Sequence, residues 1–349
     1  MNVIYLLPRD GYGGAEHAAR SLLSDESQAL TVAYMCRNAE KPEEAGAVCI
    51  SPNATFDSIG MYWNAILYVI KQKPDVLICS LWRASFVGLI YIVFSCLFRF
   101  RRPIFVVFAH SAKFSNIFDR LINGVAHCVA AEIWCDSKGT RDSLIALRHR
   151  TKAKVLSFFV PALDLGIMGT GVSFVYWGRL SAVKRLDLSI AVFEKVASRC
   201  PDVCFYIFGP DEGVLDGIIE HVKTNGLSKR VFYLGVKPIG IYPKEISQCG
   251  FFLNLSDREG MAISVIEAMT VGLVPVVTPV GEVANYCVDG FNSIVFSDID
   301  KTVGAIVDLV EKEGERMRLA TNAIKTWEGR ESFKADFSKN VERIGKTNF

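Results

Sequence analysis

The stretch that most constrains this chain runs from Phe251 to Val277. It opens with an apolar run, Phe251-Phe-Leu-Asn-Leu255, and passes through the polar Ser256-Asp-Arg-Glu-Gly260. Met261 to Val271 then has helical character, Gly272 ends that helix, and Leu273-Val-Pro-Val-Val277 begins a second apolar run. Strand, loop, helix, glycine and strand in that order are the repeating unit of a parallel sheet. Glu259 falls in the loop before the helix, and Glu267 lies eight residues on, inside it. A helix N-terminus offers unpaired N–H groups and the positive end of a dipole, which favours phosphate. Eight residues at a rise of ~1.5 Å separate the carboxylates by roughly 12 Å, about the distance between two sugar rings flanking a diphosphate. Each carboxylate can accept from vicinal hydroxyls. Two glutamates eight apart also occur on ordinary solvated helix faces, and it is the strand–loop–helix setting that makes the pair specific.

This stretch resembles glycosyltransferase family 4. Glu259-Gly260 through Glu267-Ala268-Met269 is similar to the family's Glu-x7-Glu motif, and Gly272 with Val274-Pro-Val-Val277 to the "G-x-P-V-V" that follows. The resemblance implies an α/β chain with two Rossmann-like domains facing across a cleft, the GT-B arrangement, and sugar transfer with retention. It implies an N-terminal, acceptor-side domain over 1–163, completed by a final helix from about 332 to 349. A nucleotide-sugar-binding domain would occupy 171–331.

Composition agrees with that outline. The 349 residues suit two domains, and half are hydrophobic, enough for two cores. A net charge of +2 argues against nucleic-acid binding driven by bulk charge. The charge is uneven: an excess of four cations up to residue 165 and of two anions beyond it. The ten cysteines are scattered, with no Cys-x-x-Cys, and read as reduced thiols of a cytoplasmic chain. Met1-Asn-Val-Ile-Tyr-Leu-Leu7 is too short for a signal peptide and reads as a first strand.

After a strand over 2–7, a loop with three glycines, Pro8 to Gly14, precedes a helix from Ala15 to Leu23. A dinucleotide fingerprint would need glycine at position 16, where Glu16 stands, so the dehydrogenase reading loses its best motif. Gly13-Gly14-Ala15-Glu16 is instead similar to the family's "G-G-A-E", which implies that Gly13 and Gly14 bring backbone close to donor diphosphate and acceptor. Strands are expected at 29–35, 46–50 and 75–79, with a helix over 56–72. Phe86 to Phe98 is then free of charge, and Arg99, Arg101 and Arg102 follow. This run is too short to span a bilayer. It reads either as a helix buried on a sheet or as an interfacial helix with arginines on anionic head groups. Ile104 to Ala109 is a strand ending at His110; resemblance places this histidine near the donor sugar, whereas the residue alone also suits a structural role. A second basic segment, Arg141 to Lys154, reads as a solvated helix face or a second membrane contact. Val155 to Val160 is expected to be the last strand of the first domain, and Pro161 to Gly171 its linker.

Phe174 to Gly178 opens the second domain. Gly178-Arg-Leu-Ser-Ala-Val-Lys184 is similar to the family's "G-R-L-x-x-x-K", and two cations at a strand's carboxyl end, Arg179 and Lys184, can balance a departing diphosphate. A helix over 187–199 and strands at 203–208 and 231–234 continue the alternation. Resemblance puts the base near Gly235 and Val236, and the sugar and phosphate on the amides of Gly260, Met261 and Ala262. Met261 and Ala262 replace the usual Phe-Gly, so donor identity is not carried over. Three polar-faced helices are expected over 300–345.

The expected reaction moves a hexose from a nucleoside-diphosphate sugar, a UDP-sugar before GDP-mannose, to a hydroxyl of a glycan or lipid-linked acceptor in polysaccharide synthesis. Glu259 would hold donor-sugar hydroxyls and Glu267 the ribose, while His110, Arg179 and Lys184 complete the catalytic set. None of the motifs above holds an Asp-x-Asp pair, so no metal or other cofactor is expected. Two other classes stay open: a non-catalytic nucleotide-sugar-binding partner subunit, and a sugar-nucleotide epimerase on a similar scaffold. The expected location is the cytoplasm, with peripheral contact to an anionic membrane through 86–102 and 141–154.

Overall fold

The computed structural model describes residues 1–23, 30–37, 46–110, 114–146, 153–161, 170–237 and 244–348. The chain forms two compact units, one of Met1–Phe158 with Glu331–Phe349, the other of Phe159–Arg330. Each is a parallel sheet with helices on it.

In the first unit the chain runs β1 (Val3–Asp10), α1 (Gly14–Ser21), β2 (Leu30–Arg37), β3 (Val48–Ser51), α2 (Ile59–Gln72), β4 (Val76–Ser80), α3 (Leu81–Leu97), β5 (Ile104–Ala109), α4 (Ile117–Val129), β6 (Glu132–Cys135), α5 (Lys138–Ala146) and β7 (Ala153–Val155). The sheet order is β3-β2-β1-β4-β5-β6-β7, every pairing parallel. Strand order reverses between β1 and β4, the point where parallel sheets leave a ligand crevice. The strands are apolar without alternation because both faces are covered. The right-handed crossover rule puts α2, α3 and α4, which all connect strands stepping the same way, side by side on one face. Gly88 lets α3 sit close to the sheet: a Cβ there would stand 2.6 Å from the Phe105 ring and 3.0 Å from Cys79 Sγ.

The second unit continues with β8 (Ser173–Trp177), α6 (Leu186–Arg199), β9 (Phe205–Phe208), α7 (Leu215–Thr224), β10 (Val231–Tyr233), β11 (Cys249–Asn254), α8 (Ile263–Thr270), β12 (Val274–Val277), α9 (Val283–Tyr286), β13 (Ile294–Val295), α10 (Ile299–Glu311) and α11 (Glu313–Trp327). Its sheet order, β10-β9-β8-β11-β12-β13, reverses between β8 and β11. Phe174, Phe251 and Phe252 from these two central strands are fully buried, and Phe174 stacks on Phe251 at 5.0 Å.

The last helix, α12 (Phe333–Asn348), belongs to the first unit. Phe333, Phe337, Val341 and Ile344 recur at helical spacing and are buried, with Phe337 against Tyr5 (5.4 Å) and Trp134 (5.3 Å) and Phe333 over Phe108 (5.9 Å).

Two sequence expectations change. The segment 155–160 is not a strand: β7 ends at Val155. Its residues are apolar because they enter two cores, Phe158 packing on His110 and Phe333, and Phe159 stacking on Trp327. The basic segment 141–154 is not one helix face. Arg141 lies on α5 and Lys154 on β7, where its ammonium donates to Asn340 on α12, while 148–152 fall outside the described residues. Residues 162–169 of the linker also lie outside them. The apolar segment 86–98 is the helix packed on the sheet that one reading expected: α3 buries Val87, Tyr91 and Ile92 there and exposes Ile90, Val93 and Leu97. Among the described residues no helix is long and apolar enough to cross a membrane.

Candidate functional site

At the reversal point of the second sheet, the loops leaving β8 and β11 meet. The first ends in a short 3₁₀ turn, Ala182–Lys184, and the second holds Glu259; Asp257 N–H donates to Val183 O at 2.9 Å and ties them. Lys184 Nζ lies 2.7 and 2.9 Å from the two oxygens of Glu259, both side chains largely buried. Glu259 Oε1 also accepts from Asn254 Nδ2 at 3.1 Å, and Ser256 Oγ lies 2.7 Å from it. Burial pushes this carboxyl upward, but the Lys184 ammonium and the hydrogen bonds from Ser256 and Asn254 outweigh burial and hold it below the usual carboxylate range. Glu259 is therefore a fixed anion that can accept from hydroxyls, and Lys184 a cation placed beside it.

The chain then reaches α8 through Ala262, which caps it with φ +50° and ψ +64°. This left-handed conformation is costly for alanine and suits glycine, the residue the resemblance leads one to expect there. Two neighbours fix the loop. Tyr286 OH donates to Met261 O at 2.8 Å, and Glu282 N–H to Gly260 O at 3.1 Å. Gly281 (φ +57°) is pressed so closely on the Glu259 carbonyl that any side chain there would collide with it. The first internal bond of α8 runs from Val265 N–H to Ala262 O, so the amides of Ile263 and Ser264 ahead of that donor have no acceptor within the helix and can serve an anion.

Glu267 points into the second unit and not to bulk water. It is 7% exposed, and Oε2 accepts from the Trp177 indole N–H at 2.8 Å. Arg179 is separate from the Lys184–Glu259 pair, forming an exposed fork with Glu212 at 2.9 and 3.0 Å. Gly178, Gly209 and Gly235 end β8, β9 and the segment after β10, all with positive φ. Gly209 faces the Gly178 carbonyl at a distance that excludes a Cβ, and its N–H donates to Gly235 O at 3.0 Å. Backbone rather than side chains thus forms this carboxyl edge, beside the half-exposed Val236.

In the first unit, Gly13 caps α1 and Gly14 begins it. A Cβ at Gly13 would meet the end of the Glu16 side chain, whose carboxylate also lies 3.3 Å from the Cβ position of Gly11. His110 ends β5, stacked on Phe108 at 4.5 Å. Its Nε2 lies 2.9 Å from Ser80 Oγ, which lies 2.7 Å from Tyr5 OH, so three adjacent strands hold the ring. Asp136 stands 3.9 Å from Nδ1. Burial pushes the imidazole down to about 3, so it is neutral near pH 7.

The sequence reading missed Asn254, Ser256, Trp177, Tyr286 and Ser80. Asn254 was visible as a lone polar residue inside an apolar strand, 2% exposed, and Ser256 stands three before Glu259, the spacing at which a hydroxyl and a carboxylate meet. Trp177, Tyr286 and Ser80 carry no local signal.

The two parallel sheets, each reversing order once, match solved structures over almost the full chain. Anabaena HepE in complex with UDP and glucose is 19% identical with a TM-score of 0.78, covering 99% of each chain. Sucrose-phosphate synthase from Thermosynechococcus elongatus is 14% identical with a TM-score of 0.73, covering 100% of both. WaaG, a glycosyltransferase involved in lipopolysaccharide biosynthesis, is 13% identical with a TM-score of 0.69, covering 98% of this chain and 99% of its own. The chain has the GT-B fold. Residues 164–326, most of the second unit, match the family described as "Glycosyl transferases group 1". No curated protein matches by sequence.

Proposed function

We propose that this chain is a retaining glycosyltransferase of family 4, moving a hexose from a nucleoside-diphosphate sugar to a hydroxyl of a glycan or lipid-linked acceptor in polysaccharide synthesis. The observation that carries this reading is the buried Lys184–Glu259 pair at the reversal point of the second sheet, beside the N-terminus of α8. In this reading the second unit holds the donor and the first the acceptor. Glu259 accepts from sugar hydroxyls, Glu267 from the ribose, and Lys184 and Arg179 balance the leaving diphosphate. Arg179 exchanges its exposed contact with Glu212 for phosphate at little cost, since exposed pairs contribute about 0–1 kcal/mol. Gly13, Gly14 and His110 belong to the acceptor and sugar end. Gly235 and Val236 take the base, and Gly260, Met261 and Ala262 the sugar. Glu259 acts as a hydrogen-bond acceptor and not as a nucleophile: Lys184 holds both carboxylate oxygens in place, and Oε2, which takes only Lys184, keeps a lone pair for a sugar hydroxyl. The cations do the electrostatic work, with no metal needed.

HepE is described in complexes with UDP, with UDP and glucose, and with UDP-glucose, which favours a uridine donor here. The apolar-then-basic run 86–102 accords with a lipid-linked acceptor and peripheral membrane contact.

The test is a melting-shift panel of UDP, GDP and their sugars on wild type and Lys184→Ala. A ligand at ~100 times its dissociation constant stabilises by ~2.7 kcal/mol. A shift with uridine compounds that is lost in the variant supports the reading; no shift with any compound, on well-folded protein, refutes it. Conversion of the donor to a second nucleotide sugar without acceptor would identify an epimerase. Binding without turnover toward any acceptor hydroxyl would identify a partner subunit.

A further inference from the structure

The first unit carries a broad apolar surface made by three neighbouring helices. On α2, Ile59, Trp63 and Leu67 recur every fourth residue and point outward, Ile59 being 88% and Trp63 61% exposed. On α3, Ile90, Val93 and Leu97 form a second outward stripe, Leu97 being 73% exposed. On α4, Ile117, Leu121 and Val125 form a third, more than half exposed along its length. α2 and α3 also have separate inner stripes in the core, and α4 is anchored at its end by Ala126 and His127, so the outward residues are additional to these buried contacts. The stripes adjoin. Tyr62 meets Phe86 edge-on at 5.6 Å across α2 and α3, and Trp82 stacks on Phe118 at 6.2 Å across α3 and α4. Such a contiguous apolar face is unusual on a protein surface without a partner.

One end of this face is strongly basic. Lys71 and Lys73 close α2, while Arg99, Arg101 and Arg102 follow α3, and all five are exposed. The two groups belong to one cluster, because Lys73 Nζ sits 5.0 Å over the Phe100 ring. Asp75 is the single acid between 71 and 102, and it pairs with Arg101 at 3.3 Å. Phe98 and Phe100 stand among the arginines, stacked on each other and tilted against Phe94.

We propose that the outer face of α2, α3 and α4 docks on an anionic lipid bilayer, with the apolar stripes in the acyl boundary and the Lys71–Arg102 cluster on head-group phosphates. Charge complementarity selects this occupant: apolar side chains rimmed by cations are the two signals that stable peripheral attachment requires together. The five cations would repel one another if a second copy packed cluster to cluster. The helices lie in the plane of the membrane, so the sheet is parallel to it and nothing crosses. This deepens the reading of a lipid-linked acceptor and rests on it only for the substrate, not for the surface.

The test is flotation with vesicles of phosphatidylcholine alone and with 30% phosphatidylglycerol, together with sedimentation in buffer. The surface variants are Trp63→Glu/Leu97→Glu/Leu121→Glu and Arg101→Glu/Arg102→Glu. All these side chains are exposed, and a wild-type melting temperature and circular dichroism spectrum report that the fold is intact. The proposal expects wild type to float with the anionic vesicles and both variants to bind them at least tenfold more weakly. It is overturned if wild type does not float, if the apolar variant floats as well as wild type, or if wild type self-associates in buffer and only the apolar variant stops this. Flotation without any UDP shift would sink the donor assignment and leave the membrane face standing.

Discussion

Lys184 of the 3₁₀ turn after β8 and Glu259 of the loop after β11 form a two-pronged ion pair, with 15% and 7% of their side chains exposed. Seventy-five residues apart in sequence, they are joined where the sheet changes direction. Removing one partner of a buried pair leaves the other charge uncompensated, at about 3–5 kcal/mol. Asn254 and Ser256 remain on Glu259, so Lys184→Ala should lose about 3 kcal/mol in urea denaturation. Lys184→Met with Glu259→Gln should lose less than the two single changes summed. Additive losses would mean that the pair does not form in solution.

Trp177 and Glu267 are the second such link, from β8 to α8. Trp177→Phe keeps a ring in the core but deletes the donor 2.8 Å from Glu267 Oε2. Loss of a buried hydrogen bond to a charged group predicts destabilisation by about 1–3 kcal/mol. If Glu267 holds the ribose, UDP affinity should fall further than stability alone explains, measured by calorimetry well below the melting temperature. Unchanged UDP affinity would remove Glu267 from the nucleotide site.

Ala262 offers a change in the other direction. Its left-handed backbone, φ +50°, is relieved by glycine, although glycine also has more freedom to lose on folding. Ala262→Gly should raise stability by about 0.5–1 kcal/mol, and Ala262→Val, β-branched, should lower it. A destabilised glycine variant would show that the Ala262 methyl, 9% exposed, contributes more by packing than it costs by strain.

Acid should destabilise the first unit before carboxylates titrate. Burial pushes His110 down to about 3, and burial with the neighbouring Arg20 pushes His17 down to about 4. In the unfolded chain both take a proton near pH 6.5, in the folded chain only far lower. The unfolded state therefore binds more protons below pH 6.5, and stability falls as pH drops from there towards 4. Above pH 6.5 neither contributes a slope. The denaturation midpoint should decline between pH 6.5 and 5, less steeply in His110→Gln; equal slopes in variant and wild type would mean that His110 is not buried as a neutral ring.

The second unit was the more legible half, and the reason is local. Its carboxyl-edge residues lie within short strand–loop–helix segments, so Glu259, Gly260 and Glu267 could be placed from spacing. The same holds for β5, whose limits Ile104–Ala109 agree with the sequence reading. What was not legible depends on distant contacts. Residues 114–135, which form α4 and β6, drew no assignment, because α4 shows water apolar side chains that periodicity alone assigns to a core. Phe158 and Phe159 read as a strand because nothing local says that consecutive residues enter different cores. Spacing also could not reveal that Glu267 meets an indole, or that Ser80 and Tyr5 hold His110.

The placement of α12 bears on the order of assembly during synthesis. The second unit is one continuous segment and can fold as soon as residue 330 has emerged. The first is interrupted: Tyr5, Phe108 and Trp134 receive Phe333 and Phe337 only after the whole second unit has been made. At ~5–20 residues per second, more than 200 residues separate those partners by at least ten seconds or so. During that interval the nascent first unit presents an uncovered aromatic seam.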